Sequence, residues 1–276
     1  MDYKNLFVYF IIEREDIRLL KEAGFDKPWT DDNLLATTRF TNINRENDKV
    51  TRWIREHVEM CSELISKIYL CRMFNRIDSL SLVDWSNSIE NICDAYVGMM
   101  TSGRRILTSN AYMLSARVPH DKGDPRGMFF AKTCKKRHYE LDSLNQINTC
   151  SRMYDRILEI NDIGVASFLA GQIIADVKNT KGSYLYYASD KNSFVCHGPG
   201  SLLGLSYYTG KKVTPKNFHM EIINAHEDVL EILDKKGRRD ILHQLIDMQN
   251  FQNCFCEFSK YCKLSDNPRA KHRIYD

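Results

Sequence analysis

Four stretches of the 276-residue chain hold side chains able to act on a substrate. In Arg39-Phe-Thr-Asn42-Ile-Asn-Arg45-Glu-Asn-Asp48, arginines, amides and acids crowd into ten residues. Amides such as Asn42 can read the Watson–Crick edge of a base, and Arg39 and Arg45 can hold a phosphate or stack. Asp48 would be a general base or an electrostatic stabiliser. The plainer alternative is a solvated helix face with local ion pairs. In His197-Gly198-Pro199-Gly200, the glycines would let the backbone approach a ligand, and Ser201 would cap the next helix. His197 is a possible acid or base near neutral pH; otherwise it is an exposed histidine at a helix start. In Asp247 to Tyr261, Asn253, Glu257 and Tyr261 recur at steps of four. A glutamate on a helix rich in phenylalanine is costly to bury without partners, so Glu257 is a site candidate. A surface pair with Lys260 is the alternative. In Ile160 to Ala170, a tight turn at Gly164 joins two helices, the second starting near Val165. Amides around Val165 and Ser167 would face an anion, for which a DNA phosphate is natural. A glycine turn between helices is also common in any bundle.

The elements that position these residues read as helices. Apolar side chains at steps of three and four run from Trp53 through Ile54, Val58, Cys61, Ile65 and Tyr69 as one stripe. Trp85 to Val97, Leu141 to Leu158, Ile222 to Leu233 and Ile241 to Met248 repeat the spacing. Residues 29–118 and 126–198 contain no proline, which suits helices. Tyr184–Tyr187 is the best strand candidate and is short. The fold class is therefore mostly α, a bundle of eight to ten helices. Thr30 or Asp31 would cap a helix after Trp29. Loops are expected at Val118–Gly127 and Lys178–Lys191. Residues 1–264 are expected to form one helical domain, at most two lobes with a cleft, and 265–276 a basic tail.

Composition narrows the class. Hydrophobic residues at 43% and charged residues at 27% match an ordinary globular protein and exclude a disordered or collagen-like one. The apolar run Leu6–Ile12 is far shorter than the roughly 20 residues that span a bilayer, so no membrane partner is expected. A net charge of +3 neither proves nor excludes a nucleic-acid partner. Nine scattered cysteines, an odd number, suit reduced thiols in a cytoplasm. Cys254, Cys256 and Cys262 do not have the spacing of a zinc site, so neither metal nor cofactor is expected. The sequence has no P-loop, Rossmann fingerprint or zinc-deaminase signature, which disfavours those chemistries.

The Gly164 turn and the downstream His197–Gly200 turn resemble the helix-hairpin-helix of DNA glycosylases. The aspartate expected after that hairpin is missing, so Asp48, Asp176 or Asp190 would supply a carboxylate. More specifically, Trp29-Thr-Asp-Asp32, Arg39–Asp48, Gly198-Pro-Gly200 and Cys256-Glu-Phe-Ser-Lys-Tyr261 occur in order. They resemble the α-glutamyl/putrescinyl-thymine pyrophosphorylase family, which includes the helical domain of 5-hydroxymethyluracil DNA kinases. The resemblance runs from about Glu13 to Tyr275. It implies pocket roles for Arg39, Asn42, Arg45, Asp48, Gly198, Pro199, Gly200, Glu257, Lys260 and Tyr261. It departs at Ser259, where the family usually has Asp, and at Thr108–Tyr112, which points to a different base. The implied activity is excision of a hydroxymethylated or glucosylated pyrimidine from double-stranded DNA by base flipping, in the setting of phage defence. The alternative is a transferase that displaces pyrophosphate from activated 5-hydroxymethyluracil in DNA with an amine or amino acid. A module that only binds modified bases is the third possibility.

Overall fold

The computed structural model describes residues 2–58, 61–109, 125–160 and 162–267. Among them the regular elements are helical: α1 (Tyr3–Glu22), α2 (Asn33–Thr37), α3 (Lys49–Val58), α4 (Leu64–Phe74), α5 (Ile77–Leu80), α6 (Ile89–Thr101), α7 (Pro125–Ser143), α8 (Cys150–Glu159), α9 (Ser167–Val177), α10 (Pro199–Thr209), α11 (Phe218–Lys235), α12 (Arg239–Leu245) and α13 (Met248–Asp266). Short 3-10 turns cover Arg45–Asn47, Leu144–Gln146 and Tyr184–Tyr187. The mostly α class holds. The count exceeds eight to ten because one-turn helices such as α2 and α5 are too short to show a period.

Two units can be distinguished, Met1–Asp48 with Val195–Asp276, and Lys49–Phe194. In the first, α13 is the axis. Phe7 of α1 stacks on Phe255 at 4.1 Å, and Phe251, Phe258 and Tyr208 pack edge-on around the pair. Burying aromatic rings this way stabilises by about 1.5–3 kcal/mol each before conformational costs. α10 lies against α13 at backbone distance. A Cβ at Gly200 would meet the Cys256 sulfur at 2.5 Å, and one at Gly204 would press on the Phe255 peptide.

In the second unit, every residue of α4 is buried, including Lys67 and Arg72. Lys67 donates to the Trp85 carbonyl at 2.9 Å. Arg72 holds Asp176 through two bonds, its Nη2 reaching Oδ1 at 2.7 Å, and also donates to Thr51. The interior cations are thus satisfied, as burial demands.

Three expectations are corrected. The stripe from Trp53 to Tyr69 is not one helix: α3 stops at Val58, and α4 starts after Glu63, whose φ is +58°. The apolar steps stay in phase across this break, so periodicity hides it. Tyr184–Tyr187 is a 3-10 turn, not a strand. The Ser183 hydroxyl accepts from the Leu185 amide, and only Leu185 points to the core. α7 begins at Pro125, inside the expected loop, since proline is tolerated in a first helical turn. Residues 118–124, Asn161, part of the Thr108–Tyr112 block and 268–276 lie outside the described residues, while Ser265 and Asp266 still belong to α13.

Candidate functional site

The four blocks that carry the family resemblance lie in the first unit: Cys256–Tyr261 is part of α13, and Trp29–Asp32, Arg39–Asp48 and Gly198–Gly200 each touch that helix. Asp32, rather than Thr30 or Asp31, caps α2: its Oδ1 accepts from the Leu34 and Leu35 amides at 2.9 and 3.0 Å. Thr30 is taken up by Glu13 instead. The other oxygen of Asp32 accepts from the Tyr261 hydroxyl at 2.7 Å. Burial and the neighbouring carboxylate push that phenol well above its ordinary range. Tyr261 is therefore a brace, 7% exposed, that ties the chain before α2 to α13.

The Arg39–Asp48 block is not a helix face. It is an extended segment with one 3-10 turn, pinned along α13. The Thr41 amide donates to Glu257 at 3.0 Å, and Asn253 donates to the Thr41 hydroxyl at 3.1 Å. Lys260 donates to the Arg39 carbonyl at 2.5 Å and sits 4.4 Å from the Phe40 ring centre. The Arg45 amide donates to Asn250 at 3.1 Å. Asn42 donates to the Asn47 carbonyl at 2.9 Å, closing the block on itself. Phe40 is buried and packs on Phe10 and Tyr261. The physical effect is a polar strip whose backbone is fixed by its partners. Arg39 and Asp48 reach solvent from it, and Arg45 is half-buried.

Glu257 is not primarily the surface partner of Lys260. Its contact with that ammonium is 4.0 Å, longer than its bond to the Thr41 amide. The Gly198–Gly200 turn starts α10: Gly198 is the cap, and Ser201 reaches back to its amide at 3.0 Å rather than capping by itself. Gly200 is required by the close passage of α13, so its lack of a side chain serves packing rather than ligand approach. Pro199 is exposed, and His197 is half-buried beside Phe218.

The other carboxylates raised by the sequence have structural partners. Asp176 is fully buried against Arg72, with Arg55 at 3.5 Å. Asp190 accepts from the Cys150 and Ser151 amides at 2.8 and 2.9 Å and thereby caps α8. Partial burial pushes its carboxyl up, but these bonds outweigh burial and hold it below the usual range. Asp48, the carboxylate offered as general base or electrostatic stabiliser, is exposed, at the end of the first unit.

The turn around Gly164 joins α8 to α9 in the second unit. Asp162 and Gly164 both take positive φ, 68° and 71°, and Tyr69 donates to the Ile163 carbonyl at 2.8 Å. α9 starts at Ser167, two residues later than expected. Its cap position, Ala166, supplies no side-chain acceptor for the first amides. Val165 and Ser167 are half-buried.

A family model described as 5-hmdU DNA kinase, helical domain, matches residues 2–271. The chain belongs to this family. No curated protein and no solved structure matches it. The helical domain thus carries its motif blocks as mutually braced pieces of one unit. None of the cysteines is in a disulfide. Among the described residues no three His, Cys, Asp or Glu side chains cluster as metal ligands, and no helix is long and apolar enough to cross a membrane.

Sequence reasoning missed Arg14, which is 4% exposed and lies over the Phe10 and Phe40 rings at 5.9 and 5.5 Å. It also missed Arg72 as the partner of Asp176. The signal for Arg72 was present: a cation inside Leu64–Phe74, an otherwise largely apolar helix, has to find acceptors, a carbonyl for Lys67 and a carboxylate for Arg72.

Proposed function

We propose that this helical domain excises a hydroxymethylated or glucosylated pyrimidine from DNA. The family description supports DNA carrying 5-hmdU-type bases as the target class. The observation that carries the excision reading is the exposure of a carboxylate, Asp48, on the same braced segment as Arg39, Asn42 and Arg45. Asp48 faces solvent at the end of a braced strip, where an extruded nucleotide can reach it. Breaking the N-glycosidic bond develops positive charge on the sugar. A carboxylate beside it stabilises that charge and orients the attacking water. Arg39 and Arg45 would hold the flanking phosphates, and Asn42 would keep the strip closed. Extrusion itself costs a few kcal/mol, offset by these contacts.

The group-transfer reading is favoured by one observation, that the family is described through a kinase. A pyrophosphorylated hydroxymethyl group carries a leaving group: an amine would attack the exocyclic carbon, the carbon–oxygen bond would break, and Arg39 and Arg45 would take the departing diphosphate. Nucleoside mass spectrometry after incubation with 5-hydroxymethyluracil DNA, with and without prior phosphorylation, separates the two. Free base and an abasic site support excision. A heavier nucleoside and released diphosphate support transfer. Unchanged DNA on every such substrate refutes both.

A further inference from the structure

We propose that the turn Tyr184–Tyr187 is a stacking platform for an unpaired base of DNA. The inference rests on the reading of DNA as substrate and adds a binding site in the second unit. Tyr187 is 86% exposed and Tyr184 56%, an unusual outlay of aromatic surface for one short turn. The turn is held firmly. Leu185 is fully buried beneath it, the Ser183 hydroxyl caps it, and its Tyr186 amide bonds back to the Ser183 carbonyl at 3.1 Å. Beyond it, the buried Lys178 crosses the loop and donates to the Lys191 carbonyl at 2.7 Å. The backbone that carries the rings is therefore set in advance, which lowers the ordering cost on binding.

The surroundings indicate the occupant. Lys191 places its ammonium 3.9 Å from the Tyr186 ring centre, and the exposed Lys181 lies three residues before Tyr184. Asp190, the acid of this loop, is turned away to cap α8. Flat rings flanked by lysines suit bases and phosphates, because each base offers a π-face and each phosphate a negative charge. The faces of bases inside an intact duplex are covered by their neighbours. The platform therefore fits a base that is already unstacked, in a single strand or opposite a gap.

The test is fluorescence anisotropy of the full chain with a labelled single strand, the same sequence as an intact duplex, and the duplex with one abasic site opposite. The variants are Tyr184→Ala/Tyr187→Ala, Tyr187→Phe and Tyr187→Trp. The double alanine variant is expected to bind the single strand and the abasic duplex at least tenfold more weakly, with intact-duplex binding changed less than about twofold. Tyr187→Phe keeps parent affinity, and Tyr187→Trp gains a fluorescence signal quenched by the single strand. Equal affinity of the double variant and the parent for the single strand overturns the proposal. So does an equal loss on all three DNAs, or a Tyr187→Trp signal that no DNA quenches. If the parent excises or modifies bases normally while the double variant binds as well as the parent, only this inference fails. If the parent binds none of the DNAs, the proposed function fails with it.

Discussion

Gly204→Ala adds one methyl group on the face of α10 that meets α13. In most helices this change stabilises, by about 1 kcal/mol, because glycine is the poorer helix former. Here the new carbon would stand 2.8 Å from the Phe255 carbonyl carbon and 3.1 Å from its Cα, and closer still to the carbonyl oxygen. Ordinary contacts begin near 3.4 Å, and all three atoms are backbone, so no side-chain rotation relieves them. α10 has to move outward by more than half an ångström. That movement loosens the packing of Tyr208 on Phe7 and Phe255, where ring centres are 5.5 Å apart. Overpacking of this kind costs about 1–3 kcal/mol, occasionally more. With three backbone atoms this close the cost falls at about 2–3 kcal/mol, and after a propensity gain of about 1 kcal/mol a net loss of about 1–2 kcal/mol is expected. Gly98→Ala is the internal reference: a Cβ there meets nothing within 4 Å, so it should stabilise α6 by up to about 1 kcal/mol. Urea unfolding, followed by near-ultraviolet circular dichroism for the aromatic cluster, measures both. A Gly204→Ala chain as stable as the parent would refute the backbone contact between α10 and α13.

Other substitutions test the braces separately. Arg72→Met takes its closest cation from the buried Asp176, leaving Arg55 at 3.5 Å, and should cost about 3–5 kcal/mol in urea unfolding; a loss under about 1 kcal/mol would contradict the burial of the pair. Asp190→Ala removes the cap of α8 and should cost about 0.5–1 kcal/mol at neutral pH. Because the folded carboxyl titrates below its ordinary value of 3.8, that contribution is whole above this pH and fades as pH falls through the folded value. Parent and variant should therefore converge in acid, and a gap that widens there would reverse the sign. Tyr261→Phe removes the hydroxyl that meets Asp32 and should cost about 0.5–1.5 kcal/mol with no change in aromatic packing. Thermal unfolding checks this, and an unchanged midpoint would count against the brace.

The helices were legible because burial forces apolar residues onto one face every three or four positions. Their ends were not. The break at Glu63 carries no glycine or proline, and the stripe resumes in phase on its far side. The turn at Gly164 was legible because glycine announces a positive φ there. The motif blocks were visible as residue types, yet their roles were not, since the partners lie far along the chain. Asp32 meets Tyr261 and Thr41 meets Glu257, across more than 200 residues. Gly200 and Gly204, four apart on a helix, did carry a readable signal of close helix contact, but Gly200 was taken with Gly198 for a ligand turn. Asp48 shows the limit from the other side. Its type suggested chemistry, while its exposure depends on where the strip leaves α13.

The account depends most on Asp48 as the carboxylate that meets the sugar. Asp48→Asn keeps shape and helix-capping ability, so folding should be unchanged while the charge is lost. The decisive measurement is single-turnover formation of abasic sites on 5-hydroxymethylpyrimidine DNA by the parent and this variant, with DNA affinity measured alongside. The account predicts abasic sites from the parent, at least a hundredfold slower formation by the variant, and equal DNA binding by both. Equal rates for parent and variant would contradict it.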